Sequence, residues 1–146
     1  MSRIHIEIIS RAADQDTAFA IRRVVFCDEQ KVDPALEFDG LDGDCPQYIA
    51  TLDGTPVGTA RIRDAGDGVV KIERVAVLQE ERGKGIGTAL MRRTMEDARA
   101  SGAAIVAIHA QCHAEAFYEA LGFHRVGDEF DEANIPHVRM ELERPA

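Results

Sequence analysis

The stretch IERVAVLQEERGKGIGTALM, residues 72–91, holds the strongest structural signal in the chain. Its first half is rich in β-branched and apolar residues, which predicts a central strand over Val69 to Leu78 with one face partly exposed to water. Its second half contains three alternate glycines, and the apolar residues that follow recur at helical spacing as far as a stop near Gly102. The stretch therefore predicts a strand, a glycine-rich turn and a helix in direct succession.

The glycine-rich turn, RGKGIGT at residues 82–88, is a candidate anion site. A helix N-terminus leaves backbone N–H groups without partners, and its dipole favours negative charge. Glycines allow a phosphate to approach that backbone closely. The pattern is neither a Walker A loop, since no Ser or Thr follows Gly83 and Lys84, nor a GxGxxG fingerprint. We interpret the turn as an anion site; the alternative is a turn that only starts a helix.

Hydrophobic periodicity predicts the other elements of secondary structure. In the first half of the chain they are a strand with Ile4, Ile6 and Ile8 on one face, a helix carrying Ala18, Ile21 and Val25, and a hairpin of strands Gln47–Leu52 and Val57–Ile62 around Asp53 and Gly54, followed by a turn from Asp64 to Gly68. In the second half they are a strand over Ala104–Ala110 and a helix carrying Ala114, Phe117, Tyr118 and Leu121 that stops at Gly122. The last two are strands around Phe123–Val126 and Val138–Leu142. This order indicates a mixed α/β fold with a largely antiparallel first half and a β-α-β-α-β second half. Since the sequence shows neither repeat nor linker, we expect residues 1–146 to form one domain.

The segment from Asp28 to Pro46 is acidic and is interrupted by proline and glycine. It predicts a short helix followed by an exposed acidic loop, whose carboxylates are Glu37, Asp39, Asp42 and Asp44. One interpretation is that this loop raises the local concentration of a cationic ligand. The more common one is a solvated surface.

Composition limits the class of partner. The chain has 146 residues, of which 45% are apolar, enough for one core. Its 17 Lys and Arg against 26 Asp and Glu leave a net charge of −9, which argues against nucleic acid and anionic membranes and favours a cationic or amine-bearing small molecule.

No apolar run approaches the roughly 20 residues of a membrane span, and Met1 to Ser10 lacks a signal pattern, so we expect a cytoplasmic protein. Cys27, Cys45 and Cys112 are spaced neither for disulfides nor for zinc.

Two motifs in register resemble the GNAT superfamily of acyl-CoA-dependent N-acetyltransferases. Arg82, Gly85 and Gly87 match its signature of Arg or Gln, two residues, Gly, one residue, and Gly or Ala, and AFYEALGF at 116–123 looks like its second cofactor motif. The segments HAQCHAEAFYEALGF and FDEANIPHVRMEL are further similar to the ElaA/YjcF-like branch, in which Gln111 replaces the Asn commonly found seven residues before the tyrosine. The resemblance covers essentially the whole chain.

The resemblance implies the GNAT fold, a mixed six- to seven-stranded sheet that splays at its central strands, Val69–Leu78 and Ala104–Ala110, with helices on both faces. It implies acetyl-CoA as co-substrate and an amine acceptor. Pantetheine would pair with the backbone of the first strand, by strand addition, and the pyrophosphate would rest on the amides of the glycine-rich turn. The implied cofactor-binding residues are Val75, Ala76, Val77, Arg82, Gly83, Lys84, Gly85, Gly87, Thr88, Gln111 and Phe117. Since dimers are common in the family, a homodimer is a candidate assembly.

Acetyl transfer to an amine requires a proton acceptor. An alkylammonium with a pKa near 10.4 is neutral in only about one molecule in 2,500 at pH 7, and removing its proton costs about 4.6 kcal/mol. Glu73, on the central strand, is the candidate base, since members of the family often carry the base on this strand. The alternative is a structural carboxylate, salt-bridged to Arg61 or Arg74.

Tyr118 is the candidate acid. The resemblance implies that this tyrosine lies near the cofactor sulfur, where it can protonate the leaving thiolate. Periodicity alone favours a core tyrosine that shares the apolar stripe of Phe117 and Leu121. Gln111 either hydrogen-bonds the cofactor or an ordered water, or is a solvated glutamine at the end of a strand.

Other reactive side chains carry weaker signals. His109 and His113 are four residues apart but span a strand and a loop rather than one helical face, so we predict no metal site. Cys112 is interpreted as a packing residue, because direct attack on a thioester needs no covalent enzyme intermediate. His137 is either a substrate contact or a structural hydrogen-bonding group.

The predicted function is transfer of an acetyl group from acetyl-CoA directly to a primary amine of an unidentified small molecule or peptide. One rival is a non-catalytic acyl-CoA binding or sensing module of the same fold, since fold alone does not imply activity. Another is a structural dimer whose glycine-rich turn binds nothing.

Overall fold

The computed structural model describes residues 3–143. The strands are β1 (Ile4–Ile8), β2 (Gln47–Leu52), β3 (Thr55–Gly66), β4 (Val69–Val77), β5 (Ile105–Gln111), β6 (His124–Glu132) and β7 (Ile135–Glu143). The α-helices are α1 (Ala12–Arg22), α2 (Pro34–Glu37), α3 (Ile86–Ala100) and α4 (Glu115–Ala120), and a π-helical segment, Arg23–Glu29, continues α1. Within residues 3–143, no helix is long and apolar enough to cross a membrane.

The strands of the described residues join one seven-stranded sheet in the order β1-β2-β3-β4-β5-β7-β6. The pairs from β1 to β4 are antiparallel, β4 and β5 are parallel, and β7 is antiparallel to both β5 and β6. The predicted fold class is therefore confirmed, as is the central position of β4. The predicted hairpin is also confirmed, because Asp53 and Gly54 both take the positive φ that a tight two-residue turn requires.

Some strand boundaries differ from the prediction. β3 runs on through the predicted turn at Asp64, because the chain reverses only at Asp67 and Gly68, which both have positive φ. β6 and β7 are also longer than predicted, since they pair as far as a two-residue turn at Ala133 and Asn134. In both hairpins the short turn allows backbone pairing to continue to its ends.

β4 and β5 separate soon after they begin. They pair only where Val69–Lys71 faces Ile105–Ala107, so the implied splay of the central strands is confirmed. Beyond this point a β-bulge at Arg74, whose φ is +56°, places two residues of β4 opposite one residue of β3. The bulge shifts the alternation of β4 by one residue. Each side chain after the bulge therefore lies on the opposite face of the sheet from the one that regular alternation would give it.

Helices cover both faces of the sheet, as the resemblance implies. On one face, Leu90 of α3 lies in the main core, against which Val75 of β4 packs. On the other face, Ile21 of α1 and Val25 of the π-helical segment pack on Ala76. The predicted first helix therefore has the correct buried face, although its second half is π-helical rather than α-helical.

Helix α3 approaches β3 closely at Gly58. A β-carbon at this position would lie 3.0 Å from the carbonyl oxygen of Ala76 and 3.1 Å from Leu90 Cδ1. Both distances are shorter than side chains normally allow, so the absence of a side chain lets α3 rest against the sheet. This contact positions the N-terminal half of α3, and with it the glycine-rich turn.

We expect Gly58→Ala to lower the free energy of unfolding by about 1–3 kcal/mol, because the added methyl group overpacks this contact. Gly43→Ala is the matched control, since a β-carbon at Gly43 would have no heavy atom within 4 Å. For the control we expect a change within about 0.5 kcal/mol. Urea unfolding at pH 7 measures both, and equal effects would contradict the packing role of Gly58.

Candidate active site

The separation of β4 and β5 opens a cleft of about 1190 Å³. Its walls come from β3, β4, the glycine-rich turn, the start of α3, β5, α4, β7, the π-helical segment, the acidic segment and the turn between β6 and β7. The predicted site residues that line it are Glu73, Val75, Ala76, Val77, Arg82, Gly83, Gly85, Gly87, Thr88, Gln111, Phe117 and Tyr118. Lys84 does not line the cleft, and its half-exposed ammonium pairs with Glu81 (Nζ–Oε2, 2.6 Å).

The glycine-rich turn has the backbone of a helix N-terminus that is open to an anion. Gly83 and Gly85 have φ of +81° and +86°, in the left-handed region that favours glycine. Gly85 immediately precedes α3, and its carbonyl oxygen accepts from the Ala89 N–H (3.0 Å). The N–H groups of residues 86–88 come before this bond and have no acceptor within the helix. Together with the helix dipole they favour bound negative charge.

Arg82 is held by a protein carboxylate. It donates to both carboxylate oxygens of Glu29 (2.6 and 2.7 Å) and, through Nε, to the carbonyl oxygen of Val77 (3.0 Å). The hydrogen bonds from Arg82 lower the pKa of Glu29 and tie the turn to the π-helical segment. The anion-binding groups that the turn offers are therefore backbone amides more than free cations.

The edge of β4 provides the second predicted cofactor contact. On one side, Ala76 and Val77 pair with β3 opposite Thr59 and Gly58. On the other side, pairing with β5 has ended at Lys71, so the backbone after the bulge borders the cleft. An unpaired strand edge can hold an extended ligand through main-chain hydrogen bonds, without requiring particular side chains.

Tyr118 packs against the main core and lines the cleft. Its ring contacts Phe117 and Phe123 edge to face, with centroid distances of 5.0 and 6.2 Å. Burial raises the pKa of Tyr118 to about 12, so the phenol keeps its proton at neutral pH. The residue thus combines core packing with a protonated hydroxyl beside the cleft, and its role as the acid stays a prediction.

Gln111 ends β5 and bridges two neighbours at the cleft. Its side-chain nitrogen donates to Gln30 Oε1 (2.8 Å), and its oxygen accepts from His113 Nε2 (2.7 Å). These bonds favour an ordered glutamine over a freely solvated one.

Glu73 is salt-bridged to arginine, as expected if it is a structural carboxylate rather than the base. Its side chain is 6% exposed; its oxygens accept from Arg61 and from Arg63 Nη2 (2.8 Å), and Lys71 Nζ lies 3.4 Å from Oε1. Arg74, the other partner considered, instead binds two carboxylates of the acidic segment. Burial disfavours the charged form of Glu73, yet the arginine hydrogen bonds outweigh it and lower the pKa to about 2. Such a carboxylate is a weak proton acceptor, and its role as the base stays a prediction.

The acidic segment contains the predicted short helix, α2, and Asp39 and Asp44 are exposed as predicted, but the other two carboxylates are not. Glu37 and Asp42 are buried, and both bind Arg22, whose side chain is 1% exposed. Asp42 and Asp39 also bind the equally buried Arg61. The prediction of exposure is wrong for Glu37 and Asp42, because two buried guanidinium groups need anionic partners and this segment supplies them. Glu37, Asp39 and Asp42 are therefore paired with arginine, and attraction of a cationic ligand by this segment stays a prediction.

One cluster at the cleft was missed by sequence reasoning. Lys71, His109, Glu132 and His137 come from four different strands and meet in the cleft wall. The local spacing of His109 and His113 carries no information about it. Strand pairing, rather than proximity in sequence, brings the four side chains together.

Comparisons with known proteins agree with this geometry. Residues 25–144 match the family described as the acetyltransferase (GNAT) domain. The N-acetyltransferase YjcF of Bacillus subtilis (strain 168), which is uncharacterized, is 37% identical over 125 residues, 84% of this chain and 88% of that protein. The crystal structure of Escherichia coli ElaA gives a TM-score of 0.84 at 29% identity, covering 98% of this chain and 100% of that one. A Bacillus subtilis acetyltransferase in complex with CoA shares the fold, with a TM-score of 0.75 at 19% identity over 98% of this chain and 100% of that one.

A split sheet with a glycine-rich helix N-terminus at the end of the parted strand is shared with the acetyltransferase structures that this chain resembles. The chain belongs to the GNAT acetyltransferase family. The match to YjcF and to the ElaA structure confirms the resemblance to their branch.

We expect the free energy of unfolding to fall as the pH drops from about 4.5 toward 2, with a contribution from Glu73. The folded pKa of about 2 lies below the ordinary value of 4.5, so the unfolded chain takes up the proton first and stability is lost across this window. Glu73→Gln should be less stable at pH 7, because it leaves Arg61 and Arg63 partly unpaired, and should lose less stability on acidification. Urea unfolding between pH 7 and pH 3 measures both effects.

Glu96→Gln is the control for this series, since Glu96 is an exposed carboxylate on α3. It should keep the wild-type dependence of stability on pH. A slope for Glu73→Gln equal to that of the wild type would contradict the ion pairing assigned to Glu73.

Proposed function

We propose that the protein transfers the acetyl group of acetyl-CoA directly to a primary amine of a small molecule or peptide. The observation that carries the proposal is that one cleft holds a glycine-rich helix N-terminus, an unpaired strand edge and a protonated tyrosine. These are the groups that a pyrophosphate, a pantetheine arm and a departing thiolate require, in that order.

In this proposal acetyl-CoA lies along the parted edge of β4. The pyrophosphate binds the amides of the glycine-rich turn, and pantetheine runs along residues 75–77 toward the fork between β4 and β5. Each contact at a helix N-terminus contributes only about 0.3–1 kcal/mol at an exposed site, so several converging donors are needed. The fold shared with an acetyltransferase solved in complex with CoA supports this placement.

The reaction needs one proton donor at the sulfur. The neutral amine attacks the thioester carbonyl, the new C–N bond forms, and the C–S bond breaks with its electron pair on sulfur. Tyr118 is assigned to donate its proton to that sulfur, because its hydroxyl is protonated at neutral pH and borders the cleft.

Glu73 is ionised at neutral pH, as a base must be, but its low pKa leaves little driving force for accepting a proton. Its contacts support the positioning alternative. In that role it holds Arg63 and Lys71, which both line the cleft.

We expect acetyl-CoA at about 100 times its Kd to stabilise the fold by roughly 2.7 kcal/mol, which raises Tm by several degrees. Gly85→Glu should abolish this rise, because it places a carboxylate in the proposed phosphate site. Gly54→Glu is the matched control: Gly54 has φ of +87° against +86° for Gly85, and neither has a heavy atom within 4 Å of a built β-carbon. The control should lose intrinsic stability and keep the rise. No rise in the wild type at millimolar acetyl-CoA would contradict the proposal.

We expect Tyr118→Phe to lower kcat on the order of 100-fold while acetyl-CoA still raises Tm, because only the transferable proton is lost. Release of free CoA thiol that depends on an added amine measures kcat. Tyr48→Phe is the control, since the Tyr48 hydroxyl bonds Asp97 Oδ2 (2.6 Å) outside the cleft. That variant should lose about 1 kcal/mol of stability and keep kcat.

An unchanged rate in Tyr118→Phe across the pH range would overturn its assignment as the acid. Binding of acetyl-CoA without thiol release for any amine would favour the acyl-CoA sensing module instead.

A further inference from the structure

Lys71, His109, Glu132 and His137 meet where β4 and β5 separate. His109 Nδ1 lies 3.1 Å from Lys71 Nζ and 3.0 Å from Glu132 Oε1. His137 Nε2 lies 3.7 Å from the other carboxylate oxygen of Glu132. Since Lys71 is the last residue of β4 that pairs with β5, the cluster stands at the fork of the cleft.

The two contacts of His109 require opposite proton occupancy of one atom. Nδ1 must carry a lone pair to accept from the ammonium of Lys71, and it must carry a proton to donate to the carboxylate of Glu132. Both contacts fall on Nδ1, which leaves Nε2 for a third partner. Because imidazole is the side chain that exchanges a proton near neutral pH, the cluster centres on a group that can take up and release one.

Neighbouring residues hold the imidazole of His109 and the carboxylate of Glu132 in place. Phe130 packs edge to face on His109, with centroids 5.0 Å apart, and stacks on His137 at 6.1 Å. His137 donates through Nδ1 to the carbonyl oxygen of Ile135 (2.7 Å). Glu132 ends β6 and pairs with Ile135 across the tight turn, which fixes its backbone. The hydrogen bond from His109 lowers the pKa of Glu132 and keeps this carboxyl ionised.

His109 lies on the face of β5 opposite to Tyr118. Ile108 and Ala110 share the main core with Tyr118, and side chains alternate along a strand, so His109 lies on the other face. A thioester held between β4 and β5 then has the tyrosine on one side and the imidazole on the other. This arrangement lets an amine arrive on one side while the sulfur is protonated from the other.

Other charged groups lie near His109 on the same face of the sheet. The charged groups that face it from the packed strands, besides those of the cluster, are Glu73 on β4 and Arg139 and Glu141 on β7. Glu73 lies 3.4 Å from Lys71, and Glu141 lies 2.8 Å from Arg139. Glu132 is therefore the carboxylate left to stabilise a proton on the imidazole.

We propose that His109 is the base that accepts a proton from the acceptor ammonium, and that Glu132 is the positioning residue that orients the imidazole and stabilises its cationic form. This inference rests on the proposed amine acetyltransferase function and supplies its proton acceptor. It assigns the removal of the ammonium proton to His109 rather than to Glu73, because the oxygens of Glu73 are occupied by Arg61 and Arg63.

The acceptor arrives as R–NH₃⁺, His109 takes one proton, and the freed lone pair forms the C–N bond with the thioester carbonyl. When the C–S bond breaks, the sulfur keeps the electron pair and takes a proton from Tyr118. The nitrogen sheds its second proton, which restores Tyr118 through solvent. The imidazolium releases its proton to solvent, so the products are the amide, CoA thiol and one proton.

The test is the pH dependence of amine-dependent thiol release in His109→Asn and Glu132→Gln. The probes are acetyl-CoA and whichever amine turns over fastest with the wild type among polyamines, amino acids, aminoglycosides and peptide amines. Asn keeps an amide near the position of Nδ1 but accepts no proton. We expect kcat/KM at pH 7 to fall on the order of 100-fold in His109→Asn and less in Glu132→Gln.

The loss of kcat/KM in His109→Asn should become smaller as the pH rises toward the pKa of the amine, which is near 10.4 for an alkylammonium. At such pH the amine is neutral in solution and needs no base. The KM for acetyl-CoA should not change. His124→Asn is the matched control, since His124 is exposed on β6 and lies outside the cleft lining. It should keep the wild-type rate and pH profile, and Tm with and without acetyl-CoA reports the folding of every variant.

A loss of rate in His109→Asn that is equal at every pH would assign a structural role and overturn the proposal, as would wild-type activity. A pH profile altered in Glu73→Gln but not in His109→Asn would return the base role to Glu73. Absence of turnover with every amine in the wild type would instead overturn the proposed function, and this inference with it. That outcome is distinguishable because the unmodified protein is then inactive.

Discussion

The site depends on the separation of β4 and β5, two parallel strands that pair over three residues and then part. β4 and β5 stop pairing after Lys71, and the bulge at Arg74 shifts the following residues of β4 by one position relative to β3. Backbone groups left unpaired in this way need water or a ligand as partner. The glycine-rich turn that follows β4 has the same need in the first N–H groups of α3. The acetyl-CoA of the proposed function, with its amide-bearing arm and pyrophosphate, would satisfy both.

Buried charge holds the walls of this opening. Arg22 and Arg61 are almost fully removed from water, which is costly unless carboxylates pair with them, and Asp42 binds both. The carboxylates of this region, Glu73 included, are therefore committed to guanidinium groups. An imidazole beside a carboxylate is a different kind of site, because it can exchange a proton without breaking an ion pair between permanent charges.

Elements with a local signal were predictable. The alternation of β1, the Asp-Gly hairpin and the apolar stripe of α3 each depend on residues a few positions apart, so periodicity reveals them. The burial of Glu37 and Asp42 was not predicted, because the pattern of the acidic segment is that of a solvated loop and their partners Arg22 and Arg61 lie on α1 and β3. The side chains of Lys71 and Glu132 gave no signal, since they meet only through the order of strands in the sheet.

Contiguous motifs in the chain were enough to predict the family, the glycine-rich turn before α3 and the position of Tyr118 on α4. Only the folded sheet settles that Glu73 is paired to arginine and that His109 meets Glu132. The register of β5 with β7, and of β7 with β6, sets the distances between these remote residues. Charge state follows from those distances, because desolvation and ion pairing depend on which groups lie within a few ångströms of one another. A linear motif does not contain that information.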